Sequence, residues 1–218
     1  MSMPSVRNEM EGTVFIGMPS RGLVAVDLLV AYAELIKPKH YFVSTNIVPL
    51  DAARNSLVAD FLVKTPEATH LLFWDDDIVP PKDALLKLWR HQEPIVSGLY
   101  FKKAPPYEPV MGIYTETPTE KGFTTFLDWE DGKSYYVDAV GMGFCLIRRD
   151  VFQEIPFPPF KFGEFSEDYE FCLLCRKHGF RIKVDTSVKL IHLADRVPIT
   201  EDFYRMYKEK TILRSLTI

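Results

Sequence analysis

Four apolar residues run without a break into three aspartates, Leu71-Leu72-Phe73-Trp74-Asp75-Asp76-Asp77, and this segment restricts the fold more than any other. A short apolar run of this kind fits a strand buried on both faces, as in a parallel sheet covered by helices. The three carboxylates must leave that interior at once, because burying even one unpaired charge is costly. The strand therefore ends at a solvent-facing edge. In open parallel sheets the carboxyl edge is where ligands bind.

The flanking sequence agrees with such a sheet. Apolar patterning predicts strands over residues 13–18, 40–48, 69–74 and 94–99, alternating with helices over residues 23–36, 51–64 and 80–91. Asp51 is read as the cap of the second helix, and Pro80-Pro81 as the opening of the third. Strand–helix alternation implies an α/β fold with a Rossmann-like, mostly parallel central sheet. Beyond Leu99 the texture changes to short strands over residues 110–114, 123–129 and 134–140, with Glu130-Asp131-Gly132-Lys133 as a hairpin turn, and a smaller antiparallel portion is expected there. Residues 144–148 form another apolar strand and residues 155–165 a Pro/Phe-rich loop. A helix then runs from Ser166 to Gly179, strands over residues 181–185 and 188–192 complete the sheet, and an amphipathic helix covers residues 200–216. The expected organisation is a flexible lead-in over residues 1–12 and one catalytic domain over residues 13–218. That domain divides into a nucleotide-binding half (13–100), an acceptor half (101–193) and a C-terminal helical segment (194–218).

Composition narrows the classes of function. With 218 residues and a net charge of −4, the chain lacks the basic balance that grips a nucleic-acid backbone, so no nucleic-acid partner is expected. The longest apolar stretch, residues 23–36, is broken by Asp27 and Glu34 and is too short to span a bilayer. Residues 1–12 have no apolar core of the secretory type, so a cytoplasmic location is expected, or a host's cytoplasm for a viral chain. Three cysteines are an odd number, and Cys172 and Cys175 share one face of a helix, which reads as core rather than zinc or redox chemistry.

Clustered carboxylates at a strand end need a cation, and hard oxygen ligands suit Mg²⁺ or Mn²⁺ bridging to substrate phosphates. The plain alternative is a solvated acidic turn ahead of the helix at Pro80. A second acidic group, Glu167 and Asp168, follows Ser166 into the first turn of its helix, where the helix dipole favours ionised carboxylates. Helix capping alone also accounts for that pattern. His192 closes the apolar run from Val188; a lone histidine there is ordinarily structural, but strand ends of one sheet converge on one edge.

Taken in order, several segments resemble the GT-A glycosyltransferases, especially the family-2-like branch and its relatives in phage and large viruses. They are Pro19-Ser20-Arg21, Ala53-Arg54-Asn55, Phe73 through Asp77, Val140-Gly141-Met142-Gly143-Phe144, Glu167-Asp168-Tyr169-Glu170-Phe171 and His192, and the resemblance spans residues 13–193. It implies that Asp75, Asp76 and Asp77 correspond to the D-x-D motif, with Asp75 toward the ribose and Asp77 on the metal. It also implies that His192 is the late metal ligand, that Pro19, Ser20, Arg21 and Arg54 line the nucleoside pocket, and that Gly143 passes close to donor or acceptor. Asp168 matches the catalytic base of inverting members. The expected activity is transfer of a sugar from a UDP- or GDP-sugar to a hydroxyl acceptor such as a glycan or glycoprotein, with Mn²⁺ or Mg²⁺ as cofactor.

Three other readings fit parts of the same pattern. Asp75-x-Asp77-x-Val79 after an apolar strand also fits the nucleophile motif of haloacid-dehalogenase-like phosphatases, yet some seventy residues with strands of their own precede it. A sugar-nucleotide pyrophosphorylase wants a Gly-rich phosphate loop after the first strand, for which Gly17 and Gly22 are too sparse. A non-catalytic nucleotide-sugar or glycan-binding module would keep the cation site and dispense with the base.

Overall fold

The computed structural model describes residues 10–194 and 197–215; most of the expected lead-in, residues 1–9, lies outside the described residues. Of its last three residues, Met10 is buried against the core.

The chain begins as expected. Strand β1 (Thr13–Pro19) is followed by helix α1 (Val26–Glu34), β2 (Lys39–Thr45), α2 (Leu50–Lys64) and β3 (His70–Trp74). Next come the two-residue strand β4 (Ile78–Val79), α3 (Ala84–Arg90) and β5 (Ile95–Leu99). The second half contains β6 (Met111–Glu116), β7 (Lys121–Thr125), β8 (Ser134–Val137), β9 (Ala139–Val140), β10 (Phe144–Arg148), α4 (Arg149–Glu154) and α5 (Glu167–Lys177). It closes with β11 (Ile182–Lys189), β12 (Ile191–Ala194), β13 (Val197–Ile199) and α6 (Glu201–Ser215).

Seven strands form the central sheet in the order β2-β1-β3-β10-β5-β11-β8. The pairs β1–β2, β1–β3 and β5–β11 are parallel, while β10 runs antiparallel to both β3 and β5, and β8 antiparallel to β11. The sheet is thus mostly parallel, but β5 does not sit beside β3 as simple strand–helix alternation implies. β10 is apolar on both faces, with Cys145 and Ile147 toward one side and Phe144 and Leu146 toward the other, so only the middle of the sheet can bury it.

Strict alternation along each central strand feeds two cores. Phe15, Leu71, Phe73 and Ile95 face Leu57 and Phe61 of α2, Phe152 of α4 and Phe171 of α5. Val14, Ile16, Leu72, Trp74 and Val96 face Leu28 of α1 and Leu85, Leu88 and Trp89 of α3. The result is a helix–sheet–helix sandwich. Cys145, Cys172 and Cys175 are all buried as free thiols, in line with the core reading.

Four local expectations change. Helix α1 is shorter than its apolar stretch and buries only Leu28 and Ala31, leaving Leu23 88% exposed ahead of it. Pro49 rather than Asp51 occupies the cap of α2, and the Asp51 carboxylate instead accepts the Ala52 amide at 2.9 Å. The segment before α3 first forms β4, so Pro80 and Pro81 precede that helix rather than begin it. Finally, Glu130-Asp131-Gly132-Lys133 does turn, with Gly132 at φ 72°, but it joins no hairpin. β7 pairs back onto β6, closed by the Thr117–Glu120 turn, while β8 leaves to extend the central sheet along β11. Among the described residues no helix is long and apolar enough to cross a membrane.

Candidate active site

The carboxyl end of β3 is built as a locked turn. Asp75 N–H donates to the Gly143 carbonyl at 2.8 Å, Ile78 N–H to the Asp75 carbonyl at 3.2 Å, and the Trp74 indole N–H to the Ile78 carbonyl at 2.8 Å. β4 then pairs with β12 in antiparallel register, His192 opposite Ile78, and Leu193 N–H reaches the Asp77 carbonyl at 2.8 Å. Through this pairing His192 meets Asp77, its Nε2 lying 3.5 Å from Asp77 Oδ1. The convergence inferred from sequence is present, but its route differs. β12 belongs to a separate three-stranded sheet, β13-β12-β4, and does not end in the central one.

Each aspartate has its own neighbours. Both Asp75 oxygens accept from the Arg54 guanidinium, at 3.0 and 3.1 Å. Asp76 accepts the backbone amide of Arg21 at 2.9 Å, tying the segment after β1 to the acidic turn. Asp77 carries an ion pair with Lys103, and the Arg21 guanidinium lies 3.9 Å away. Burial opposes ionisation of Asp77, yet hydrogen bonds and charge from His192 and Lys103 outweigh it and hold the carboxyl down at about 2.

Two adjoining clefts share this turn. One, of about 300 Å³, is lined by Pro19, Ser20, Arg21, Ile47, Val48, Leu50 and the three aspartates. The other, of about 650 Å³, is bordered by Arg21, Leu23, Asp27, Asp76, Asp77, Lys103 and Leu193. Pro19, Ser20 and Arg21 therefore form a cleft wall beside the acidic turn. Ser20 holds the wall in shape, its N–H on the Thr45 carbonyl at 2.8 Å and its hydroxyl oxygen accepting Gly22 N–H at 3.0 Å.

Arg54 lies elsewhere. It is 2% exposed, lines neither cleft, and sits beneath Asp75 as a strut whose Nε donates to Glu167 at 3.2 Å. Burial alone would push its proton off, but Asp75, Glu167 and Asp168 together raise its affinity for the proton, so it stays charged. Gly143 is likewise buried and borders neither cleft. A Cβ there would come 3.0 Å from both Ile78 and Tyr100, and its amide donates to the Tyr100 hydroxyl at 3.2 Å. Gly143 supports the acidic turn from behind.

Asp168 opens α5 directly after Ser166. The serine hydroxyl makes no cap bond to the helix backbone; it donates to the Asp168 carboxylate, which also accepts Tyr169 N–H at 2.9 Å. From sequence, the helix dipole should favour ionised Asp168. Instead burial, followed by the charge of Glu167, raises its pKa to about 6 against the weaker pull of Ser166 and Arg54. At neutral pH the carboxylate is still mostly ionised, and it is a far better proton acceptor than an ordinary aspartate. Asp168 borders neither described cleft; it joins the acidic turn through Glu167 and Arg54.

The donor set at Asp77 and His192 fits a divalent cation. Nδ1 of His192 lies 2.7 Å from the Phe101 carbonyl, and donation there aims Nε2 at Asp77, where a divalent ion would take the place of the Nε2 proton that bonds the carboxylate. A carboxylate oxygen and an imidazole suit Mn²⁺, and leave most positions for phosphate oxygens and water, as such ions prefer. No three His, Cys, Asp or Glu side chains form a closed cage among the described residues. Replacing His192 with Ala should weaken Mn²⁺ affinity about tenfold, the scale of losing a ligand or its support, while leaving the thermal midpoint nearly unchanged. A variant that unfolds early yet binds Mn²⁺ normally would give His192 a structural role only.

Lys103 and Glu167 were not singled out as site residues from sequence. Lys102-Lys103 opens a Pro-rich loop, where two lysines read as solvated charge. Glu167 carried the ordinary signature of a first-turn acid. Tyr100 is buried under the turn, where burial and then the charges of Asp168 and Asp75 raise its pKa well above the usual phenol value.

No protein-family model and no curated protein matches the sequence. Solved structures do match the fold. A197 from STIV superposes with a TM-score of 0.59 over 86% of this chain and 93% of that one, at 22% identity. GalNAc-T7, solved with UDP, GalNAc and Mn²⁺, matches at TM-score 0.53 and 14% identity over 83% of this chain, which spans only 44% of that protein. A UDP-glucose pyrophosphorylase complexed with UDP-glucose gives 0.51 at 12% identity, over 94% of this chain and 100% of that one. The fold is one that nucleotide-sugar enzymes use. At these identities the likeness concerns the fold, and function has to be argued from the site.

Proposed function

We propose that this chain is a metal-dependent glycosyltransferase that moves a sugar from a UDP- or GDP-sugar to a hydroxyl acceptor with inversion at the anomeric carbon. The observation that carries the reading is the acidic turn itself. It brings Asp77 and His192 together at the carboxyl edge of β3, beside a cleft walled by Pro19, Ser20 and Arg21. A cleft of about 300 Å³ is the scale of a nucleoside site, with Ile47, Val48 and Pro19 as apolar walls and Asp75 at its floor. The diphosphate would pass Asp76 and Asp77 toward the second cleft, where Arg21 and Lys103 supply positive charge. A divalent ion held by Asp77 and His192 would supply neutralisation of the charge growing on the departing diphosphate. Asp168 would take the proton of the attacking acceptor hydroxyl, with Ser166 and Tyr169 N–H holding its carboxylate in place.

The pyrophosphorylase fold match suggests a second reading. The segment that leaves β1, Ser20-Arg21-Gly22, offers a single glycine, and its three amides are taken by the Thr45 carbonyl, Asp76 and the Ser20 hydroxyl, so no run of free amides is there for a triphosphate, which favours transfer.

Binding is tested by thermal shift and calorimetry with UDP and GDP, each with Mn²⁺ and with EDTA. Stabilisation by at least one nucleotide in Mn²⁺, lost in EDTA, is the expected result. Equal affinity for both nucleotides with and without the metal would remove the metal bridge from the reading.

A further inference from the structure

We propose that Lys103 holds the cation position at Asp77 in the nucleotide-free chain and yields it when a nucleoside diphosphate arrives, so that metal and nucleotide are taken up together. The proposal rests on the donor-site reading above and adds an order of events to it.

Three groups face the Asp77 carboxylate among the described residues. Lys103 is ion-paired to Oδ2, Arg21 lies 3.9 Å from the same oxygen, and His192 Nε2 lies 3.5 Å from Oδ1. Oδ1 faces its partner in the donor pair, His192, so what stands against a metal ion at this carboxylate is the cation on Oδ2. Of the three, His192 is fixed by β4–β12 pairing and its Phe101 bond, and Arg21 is 84% exposed and at the limit of an ion pair. Lys103 is the group that must move. Its ammonium sits where a second cation would be repelled, and two positive charges within about 4 Å oppose one another by kilocalories at a partly buried site.

The same side chain is built to be displaced. Lys103 follows β5 in the loop after Phe101, is 34% exposed, and borders the larger cleft together with Arg21, Asp76 and Asp77. A lysine is a point charge on a flexible stem, so rotation of the stem carries the ammonium from Asp77 to a phosphate lying in that cleft. Charge balance favours the exchange. Around the cleft Asp27, Asp76 and Asp77 face Arg21 and Lys103, three negative groups against two positive ones. Mn²⁺ alone would reverse the sign of this set, whereas Mn²⁺ with a diphosphate restores it and gives Lys103 a new partner. The specificity that follows is for diphosphate esters over free metal.

The test is Mn²⁺ binding followed by electron paramagnetic resonance on the full chain, for wild type, Lys103→Met and Lys103→Gln, each alone and with saturating UDP or GDP. Circular dichroism melts establish that the variants fold. Both neutral variants should bind Mn²⁺ without nucleotide about tenfold more tightly than wild type, since one competing charge is gone. The enhancement of Mn²⁺ affinity by nucleotide should fall by a similar factor in both. If wild type and variants bind Mn²⁺ alone equally while nucleotide still enhances all three alike, Lys103 is not the occupant, and the donor-site reading stands without it. If nucleotide binds but leaves Mn²⁺ affinity unchanged in every protein, the metal bridge itself fails and the hand-over fails with it.

Discussion

Replacing Arg54 with Met should lower the unfolding free energy by about 3–5 kcal/mol, the scale of removing one partner from a buried ion pair. The guanidinium is almost wholly buried, and it bonds both oxygens of Asp75 and one of Glu167, itself only 6% exposed on its side chain. Met fills a similar volume, so the loss reports two stranded carboxylates and not a cavity. Denaturant unfolding at pH 7 measures it. A variant within about 1 kcal/mol of wild type would mean that solvent reaches Asp75 and Glu167 freely enough to replace the strut.

Asp168→Asn has the opposite pairing of effects. Transfer should fall by a factor of about 10² to 10⁴ because the proton acceptor is gone, while nucleotide and Mn²⁺ binding stay near wild type. Stability should rise. The carboxyl titrates at about 6 in the folded chain against an ordinary 3.8, so the fold prefers the protonated form. That preference is fully present below 3.8 and is lost as pH climbs through 6, leaving a half-buried charge at neutral pH. Asn keeps the acceptor oxygen for Ser166 and Tyr169 N–H and never carries the charge, so at pH 7 it should be more stable by about 1–3 kcal/mol. Melts of both proteins from pH 3.5 to 7.5 should separate only above pH 4. In wild type, the transfer rate should decline on the acid side with a midpoint near 6. Retention of most activity by the variant, or a product with the donor's anomeric configuration, would overturn the base assignment.

Most of the central sheet was legible in the sequence because its strands are buried on both faces, and continuous apolar runs announce that directly. The position of β10 was not, since an apolar run says that a strand is central but not between which neighbours. β8 misled for a related reason. Glu130 through Lys133 carry good turn chemistry, but a turn does not fix which strand its exit pairs with, and here Thr186 receives it, its hydroxyl oxygen accepting Lys133 N–H at 3.0 Å. At the site, residue types were readable where chemistry forced them, as at the three aspartates. The strut beneath them was not: that Arg54 reaches Glu167 across 113 positions is a property of how α2 and α5 pack. Lys103 was hidden because a lysine beside another lysine in a loop looks like solvated charge whatever it touches.

The two-residue strand β4 has a consequence for biogenesis. Asp77 and His192 are joined through the β4–β12 ladder, so a ribosome must carry synthesis from Asp77 on past His192 before their meeting place exists. Closing a loop of that length costs entropy that grows slowly with length, but contacts so distant in sequence form late. Until then the acidic turn is an exposed cluster of like charges with no imidazole opposite it. Until His192 is made and paired, the nascent chain cannot hold a transition metal through this pair.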